Sequence, residues 1–216
     1  MSKLMKLVVG CKNSKEFVDK VQTHRLLYLH GLASSKKANT ARLLKEYLED
    51  FDVLSIDIPP HPLEAISYIS KIIKEYKPHV IVGTSLGGFY ASLFDGPFKI
   101  LINPALKPDL EIKNILGGYG TYPYLKQRED GSKSFEFTNH DEEEFKTLRS
   151  KFLAEINDDI KKETFAFFGI KDEVVNDKYY FIEIFNKEHA YDIDANHRLA
   201  DRNIVEDIIP FIVKLI

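Results

Sequence analysis

The chain has 216 residues, with 30 Lys and Arg against 33 Asp and Glu, for a formal net charge of -3. That length suits one domain, because a single core stops growing at about 250–300 residues. The balanced charge excludes the strongly basic field of a nucleic-acid binder or a membrane-surface protein, and 44% hydrophobic with 29% charged residues excludes a disordered chain.

At the N-terminus, Val8-Val9-Gly10-Cys11 resembles a lipoprotein cleavage site, with Lys3 and Lys6 as a basic flank. Only Leu7, Val8 and Val9 stand where an h-region of about 7–15 apolar residues is needed, so a strand or loop is expected there instead. Cys11 is the sole cysteine, which rules out an intramolecular disulfide. No window approaches the roughly 18 apolar residues of a membrane span, so the expectation is a cytoplasmic protein without stable membrane insertion.

Short apolar runs then alternate with amphipathic stretches, the pattern of an α/β chain with a mostly parallel sheet of about six to seven strands flanked by helices. Strands are expected at 26–30, 53–58, 80–83, 99–102, 164–168 and 190–193, each continuously apolar as strands covered on both faces are. The first runs into His30-Gly31-Leu32-Ala33. A helix is expected at 38–51, where Ala41, Leu44, Leu48 and Phe51 recur at helical spacing, and another at 63–76, stopped by Pro78. Between them His61 reads as a surface-loop histidine.

The third strand leads into Gly83-Thr84-Ser85-Leu86-Gly87-Gly88, followed by a helical pattern. Gly-x-Ser-x-Gly between a strand and a helix is the nucleophile elbow of α/β-hydrolases. The turn strains the serine backbone, and side chains at Gly83 and Gly87 would clash across it. The helix that follows aims its N-terminal N–H groups at charge developing beside Ser85. The His30-Gly31 pair after the first strand matches the other half of an oxyanion hole, whose donors would be the backbone N–H groups of Leu32 and Leu86, with His30 shaping the loop.

After the fourth strand, Asn103-Pro104-Ala105 either borders the site or is a structural loop. Residues 107–163 carry no strong strand pattern. Gly117-Gly118-Tyr119-Gly120 with Pro123 indicates an irregular loop, and Asp141-Glu-Glu-Glu144 opens a polar helix over 141–157. The segment is expected to be an insertion or minimal cap on a single domain spanning 1–216, with Tyr119, Tyr122 and Tyr124 as candidates for a substrate-contacting wall alongside Asn103. His140, Asp141 and the glutamates lack metal-site spacing, and no metal or cofactor is expected.

Asp172 follows the strand at 164–168 on the edge where open α/β sheets bind ligands, which favours it over Glu173 or Asp109 as the acid. A helix is expected at 177–185. His189 precedes the strand at 190–193, at its entry end, whereas His197 follows that strand and precedes a helix at 199–215. The order serine, acid, histidine thus selects Ser85 as nucleophile, Asp172 as the orienting acid and His197 as the base.

Taken together, Tyr28-Leu-His-Gly31, Gly83-Thr-Ser-Leu-Gly-Gly88, Ile102-Asn-Pro-Ala105, Gly169-x-x-Asp172-Glu-Val-Val175 and Asn196-His197-Arg198 resemble the YqiA-type bacterial esterases, small α/β-hydrolases. The resemblance runs through nearly the whole chain. It implies a cofactor-free esterase or acyl-thioesterase acting on a small-molecule ester or thioester. Family members often carry an acidic residue before the base histidine, where this chain has Ala195-Asn196, and that departure bears on substrate preference. Acyl transfer by the same triad and a catalytically silent binding module are the alternatives.

Overall fold

The structure is a computed structural model and describes residues 23–216. The N-terminal expectation, including Cys11, lies outside the described residues. Six parallel strands form one sheet: β1 (His24–Leu29), β2 (Phe51–Ser55), β3 (Val80–Thr84), β4 (Phe98–Ile102), β7 (Thr164–Gly169) and β8 (Ala190–Ile193), in the order β2-β1-β3-β4-β7-β8. The six strands expected from sequence are all present, the last with both ends as expected and the others with ends shifted by at most three residues.

Strand residues alternate between two cores. Leu27, Leu29, Ile81 and Leu101 face one side, Leu26, Tyr28, Val80, Val82 and Ile100 the other, and all are essentially inaccessible. A parallel sheet needs helical crossovers on both faces, which is why the central stretches of these strands are largely apolar. One face is covered by α1 (Asn39–Tyr47) and the C-terminal helix. The latter starts as α8 (Asp201–Asn203), widens to a π-helical segment over Ile204–Ile208 and continues as α9 (Ile209–Leu215). Helices α2 (Pro62–Tyr76) and α3 (Leu86–Ser92), with later helices, cover the opposite face.

The helix expected over 38–51 is shorter. It ends at Tyr47, and Phe51 begins β2, because Glu49-Asp50 turns the chain back toward the sheet. Helix α2 starts with Pro62 at its first position, where the missing N–H costs nothing, and ends at Lys77 in the left-handed region (φ 50°).

Residues 107–163 differ most from expectation. After α4 (Pro108–Leu116), the stretch expected to be irregular forms a two-stranded antiparallel hairpin, β5 (Gly120–Pro123) with β6 (Ser134–Phe137). Its signal is the alternation in Ser134-Phe-Glu-Phe137, where Phe135 and Phe137 are buried and the residues between are exposed. The hairpin docks back on the frame: Leu125 N–H donates to the Ala33 carbonyl (2.7 Å), Glu129 N–H to Asp57 Oδ2 (2.8 Å), and Lys36 pairs with Glu129.

Helix α5 (Asn139–Glu155) then returns across the sheet, followed by the short α6 (Asp158–Lys162), and α7 (Lys178–Ile184) lies between β7 and β8. A reciprocal cap opens α5. Asp141 N–H donates to Thr138 Oγ1 (3.3 Å), while Asp141 Oδ2 accepts from Thr138 N–H (2.7 Å) and Asp141 Oδ1 faces His61 Nδ1 at 2.7 Å. The acidic run at 141–144 thus serves its helix start. Among the described residues no helix is long and apolar enough to cross a membrane.

Thr138→Ala removes one arm of the α5 cap and is expected to lower stability by about 1 kcal/mol, measurable as a shift in the urea midpoint with an unchanged m-value.

Candidate active site

Ser85 sits between β3 and α3 at φ 53° and ψ -119°, a strained backbone for a residue with a Cβ. Backbone hydrogen bonds from both neighbouring segments hold it there. Its N–H donates to the Ile102 carbonyl (2.9 Å), and its carbonyl accepts from Gly88 N–H (2.8 Å) and Ala105 N–H (3.1 Å). A Cβ at Gly83 would overlap the Gly87 carbonyl, and one at Gly87 would overlap the Leu29 and His30 carbonyls. The turn can form only where backbone meets backbone.

Strand ends β3, β7 and β8 bring the three expected residues together. His197 Nε2 lies 3.1 Å from Ser85 Oγ, and its Nδ1 lies 2.8 Å from Asp172 Oδ2. The other oxygen, Asp172 Oδ1, accepts from the N–H groups of Val174 (2.8 Å) and Val175 (3.0 Å). Burial acts to raise the Asp172 pKa, but the bonds from His197, Val175 and Val174 outweigh it and hold the carboxyl below its ordinary value. An ionised carboxylate only accepts, so Nδ1 carries the imidazole proton and Nε2 is left free to accept from the Ser85 hydroxyl.

The other acid candidates are placed elsewhere. Asp109 forms a two-pronged pair with Arg149 (2.7 Å at both oxygens), and Glu173 is exposed.

Gly31 packs directly on the serine, since a Cβ built there would stand 3.2 Å from Ser85 Cβ. Leu32 follows it in a turn, and Leu86 is the first residue of α3, whose N–H has no partner within the helix. His30 spans the loop beneath. Its Nδ1 lies 2.8 Å from the Gly31 carbonyl and its Nε2 accepts from Ile58 N–H (3.0 Å). Burial drives its pKa down to about 4, against the raising effect of the Gly31 bond, so it stays neutral and structural.

Three expected substrate-facing residues point elsewhere. The Tyr119 hydroxyl meets Asn139 and Glu142, and Tyr122 donates to the Gly118 carbonyl (2.9 Å); neither lines the cavity beside Ser85. Both rings pack on the insertion's own aromatics, Tyr119 on Phe137 and Tyr122 on Phe135, and of the three expected tyrosines Tyr124 lines the cavity.

Asn103 is buried, at φ 43°, and does not line that cavity. Its side-chain amide N–H groups donate to the carbonyls of Asn196 and His197 (3.0 Å each), and its Oδ1 accepts from Gly169 N–H (2.7 Å). The β4 end therefore ties the loop carrying His197 to the end of β7, three residues before Asp172. Gly169 permits this contact, because a Cβ there would overlap the Ala195 carbonyl. Among the described residues no group of three or more His, Cys, Asp or Glu side chains is placed to hold a metal ion.

The model of the uncharacterised protein family UPF0227 matches residues 25–211, a span that takes in Ser85, Asp172 and His197. The chain belongs to this family, which is the YqiA type that its motifs resemble. Solved structures similar to this member of the family include a putative hydrolase from Agrobacterium vitis S4, with a TM-score of 0.67 at 16% identity over 91% of this chain and 88% of that one. Mouse alpha/beta hydrolase domain-containing protein 10 gives a TM-score of 0.62 at 16% identity over 91% and 90%. Est1E from Butyrivibrio proteoclasticus, solved with ferulic acid bound, gives 0.63 at 14% identity over 91% of each chain. These likenesses place the chain in the α/β-hydrolase fold.

Two outcomes are expected. Asn103→Ala leaves the Gly169 N–H without its acceptor and is expected to cost about 1–3 kcal/mol, read by chemical denaturation. Because the folded Asp172 pKa lies below its unfolded value, its contribution to stability is complete above a pH of about 3.9 and is lost as pH falls through the folded value. Asp172→Asn is therefore expected to flatten that acid limb of the stability–pH curve.

Proposed function

We propose that the protein is a serine hydrolase that cleaves carboxylic esters or acyl thioesters through an acyl-enzyme. The reading is carried by one observation: the continuous run from Ser85 Oγ through His197 to Asp172, at 3.1 and 2.8 Å, on a strained strand-to-helix turn. Ser85 Oγ attacks the carbonyl carbon as His197 Nε2 takes its proton. The oxygen that gains charge is received by the N–H groups of Leu32 and Leu86, and Asp172 stabilises the imidazolium. The carbonyl–leaving-group bond then breaks, and His197 returns the proton to the departing alcohol or thiol. Water, deprotonated by His197, attacks the acyl-serine, releasing the carboxylic acid and restoring Ser85.

Three features support this assignment over a silent binding module. The base has the correct tautomer for accepting the serine proton, the acid is ionised, and the Leu86 N–H is left unsatisfied by its helix.

Ser85→Ala is expected to keep the fold and to lower kcat on a p-nitrophenyl ester by about a thousandfold or more. Wild type should be labelled at Ser85 by a fluorophosphonate probe, and peptide mass spectrometry locates the adduct. Wild-type turnover by folded Ser85→Ala would refute the mechanism.

A further inference from the structure

The loop after β4 meets all three catalytic segments. Asn103 bonds to the His197 loop and the end of β7, and Ala105 N–H donates to the Ser85 carbonyl (3.1 Å). The next residue, Leu106, donates its N–H to Asp177 Oδ2 (2.7 Å). Asp177 stands where the chain leaves the Asp172 segment and enters α7, and its side chain is fully buried. That segment is therefore pinned at both ends, by Gly169 N–H on Asn103 Oδ1 and by Asp177 on Leu106. Between the pins only Val175 is buried, so packing does little to hold the segment in place.

Lys107 and Glu111 complete the group around Asp177. Lys107 Nζ lies 2.7 Å from Asp177 Oδ1 and 3.6 Å from Glu111 Oε1, while Glu111 Oε2 is buried with no donor in reach. Two carboxyl groups can hydrogen-bond each other only when one of them carries a proton. Burial pushes the Glu111 pKa up, and so do the charge of Asp177 and the hydrogen bond between the two; against the lowering pull of Lys107 it reaches about 8. At neutral pH Glu111 is thus protonated and donates to Asp177. The neighbouring elements add little charge to this group. Tyr180 of α7 presents its ring 5.4 Å from Lys107 Nζ, and Arg149 of α5 is matched by Asp109 of α4.

We infer that Asp177 is a positioning residue for the triad: bonded to Leu106 N–H, Lys107 and Glu111, it fixes the segment carrying Asp172 against the loop that holds the Ser85 backbone. The inference rests on the serine-hydrolase reading of Ser85. Asp177 acts through Asp172, whose Oδ2 sets the direction of the His197 ring. As pH rises and Glu111 ionises, its donation to Asp177 ends and two carboxylates face one ammonium. The hold on the segment weakens accordingly.

The test measures kcat and KM on p-nitrophenyl acetate across pH, with Ser85→Ala as the blank for spontaneous hydrolysis. Asp177→Ala is expected to lower kcat by about ten- to a hundredfold with KM within about twofold, the cost of a catalytic group displaced by roughly an ångström. Asp177→Asn, whose amide oxygen still accepts from Leu106 N–H, should recover part of the loss. Wild-type kcat should fall severalfold between about pH 7 and 9.5. Glu111→Gln, an amide that donates at every pH, should stay flat over the same range. Unchanged kcat in folded Asp177→Ala overturns the role, as does a flat wild-type profile or a basic limb that survives in Glu111→Gln. The pH profiles decide the matter even where Asp177→Ala does not fold. A readout without turnover is the low-field proton resonance of His197 Nδ1–H, assigned by its absence in His197→Gln and expected to broaden in folded Asp177→Ala. If that resonance responds to Asp177 while wild type neither hydrolyses esters nor takes a fluorophosphonate label, the positioning stands and the hydrolase reading fails. Turnover and resonance both unchanged in Asp177→Ala do the reverse.

Discussion

At the carboxyl edge of the sheet, backbone packs on backbone with no side chain between. The Gly87 Cα lies against the carbonyls of Leu29 and His30, Gly83 against Gly87, and Gly169 against Ala195. These contacts draw the ends of β1, β3, β7 and β8 close enough for one serine, one imidazole and one carboxylate to share hydrogen bonds. Asn103 fastens the arrangement from the intervening strand β4, with three bonds to backbone groups of the β7 end and the His197 loop. The strain at Ser85, at φ 53°, is held by this packing rather than by any bond made by its own side chain.

Much of this was legible in the sequence, for a physical reason. Strands buried on both faces are largely apolar, so each strand could be located to within a few residues, and ligands of open α/β sheets gather at the carboxyl ends. Ser85, Asp172 and His197 each follow such a run by a few residues. What could not be read depends on contacts between segments far apart in the chain. Asn103 looked like a loop residue because its partners lie at 169, 196 and 197. Arg128 stands in the polar stretch Lys126-Gln127-Arg128-Glu129-Asp130, where nothing local separates a buried arginine from its exposed neighbours. Tyr119 and Tyr122 were misplaced because the alternation that sets their direction belongs to a hairpin whose partner strand carries only two apolar residues.

The hairpin changes the meaning of the segment between β4 and β7. It is fastened to the loop after β1, which holds Leu32, through Ala33 and Lys36, and to the loop after β2 through Asp57. The insertion is thereby part of the wall beside the serine, where it supplies Tyr124, Arg128 and Phe135.

Strands β4 and β7 are neighbours in register, Lys99 opposite Thr164 and Ile102 opposite Phe167. Joining them closes a loop that contains the entire insertion, and the entropy of that closure must be met before the pairing returns anything. The partners in the hydrogen bonds that Ser85, His197 and Asp172 share lie on opposite sides of that closure, Ser85 before the insertion and its two partners after it, so their meeting depends on the β4–β7 pairing being made.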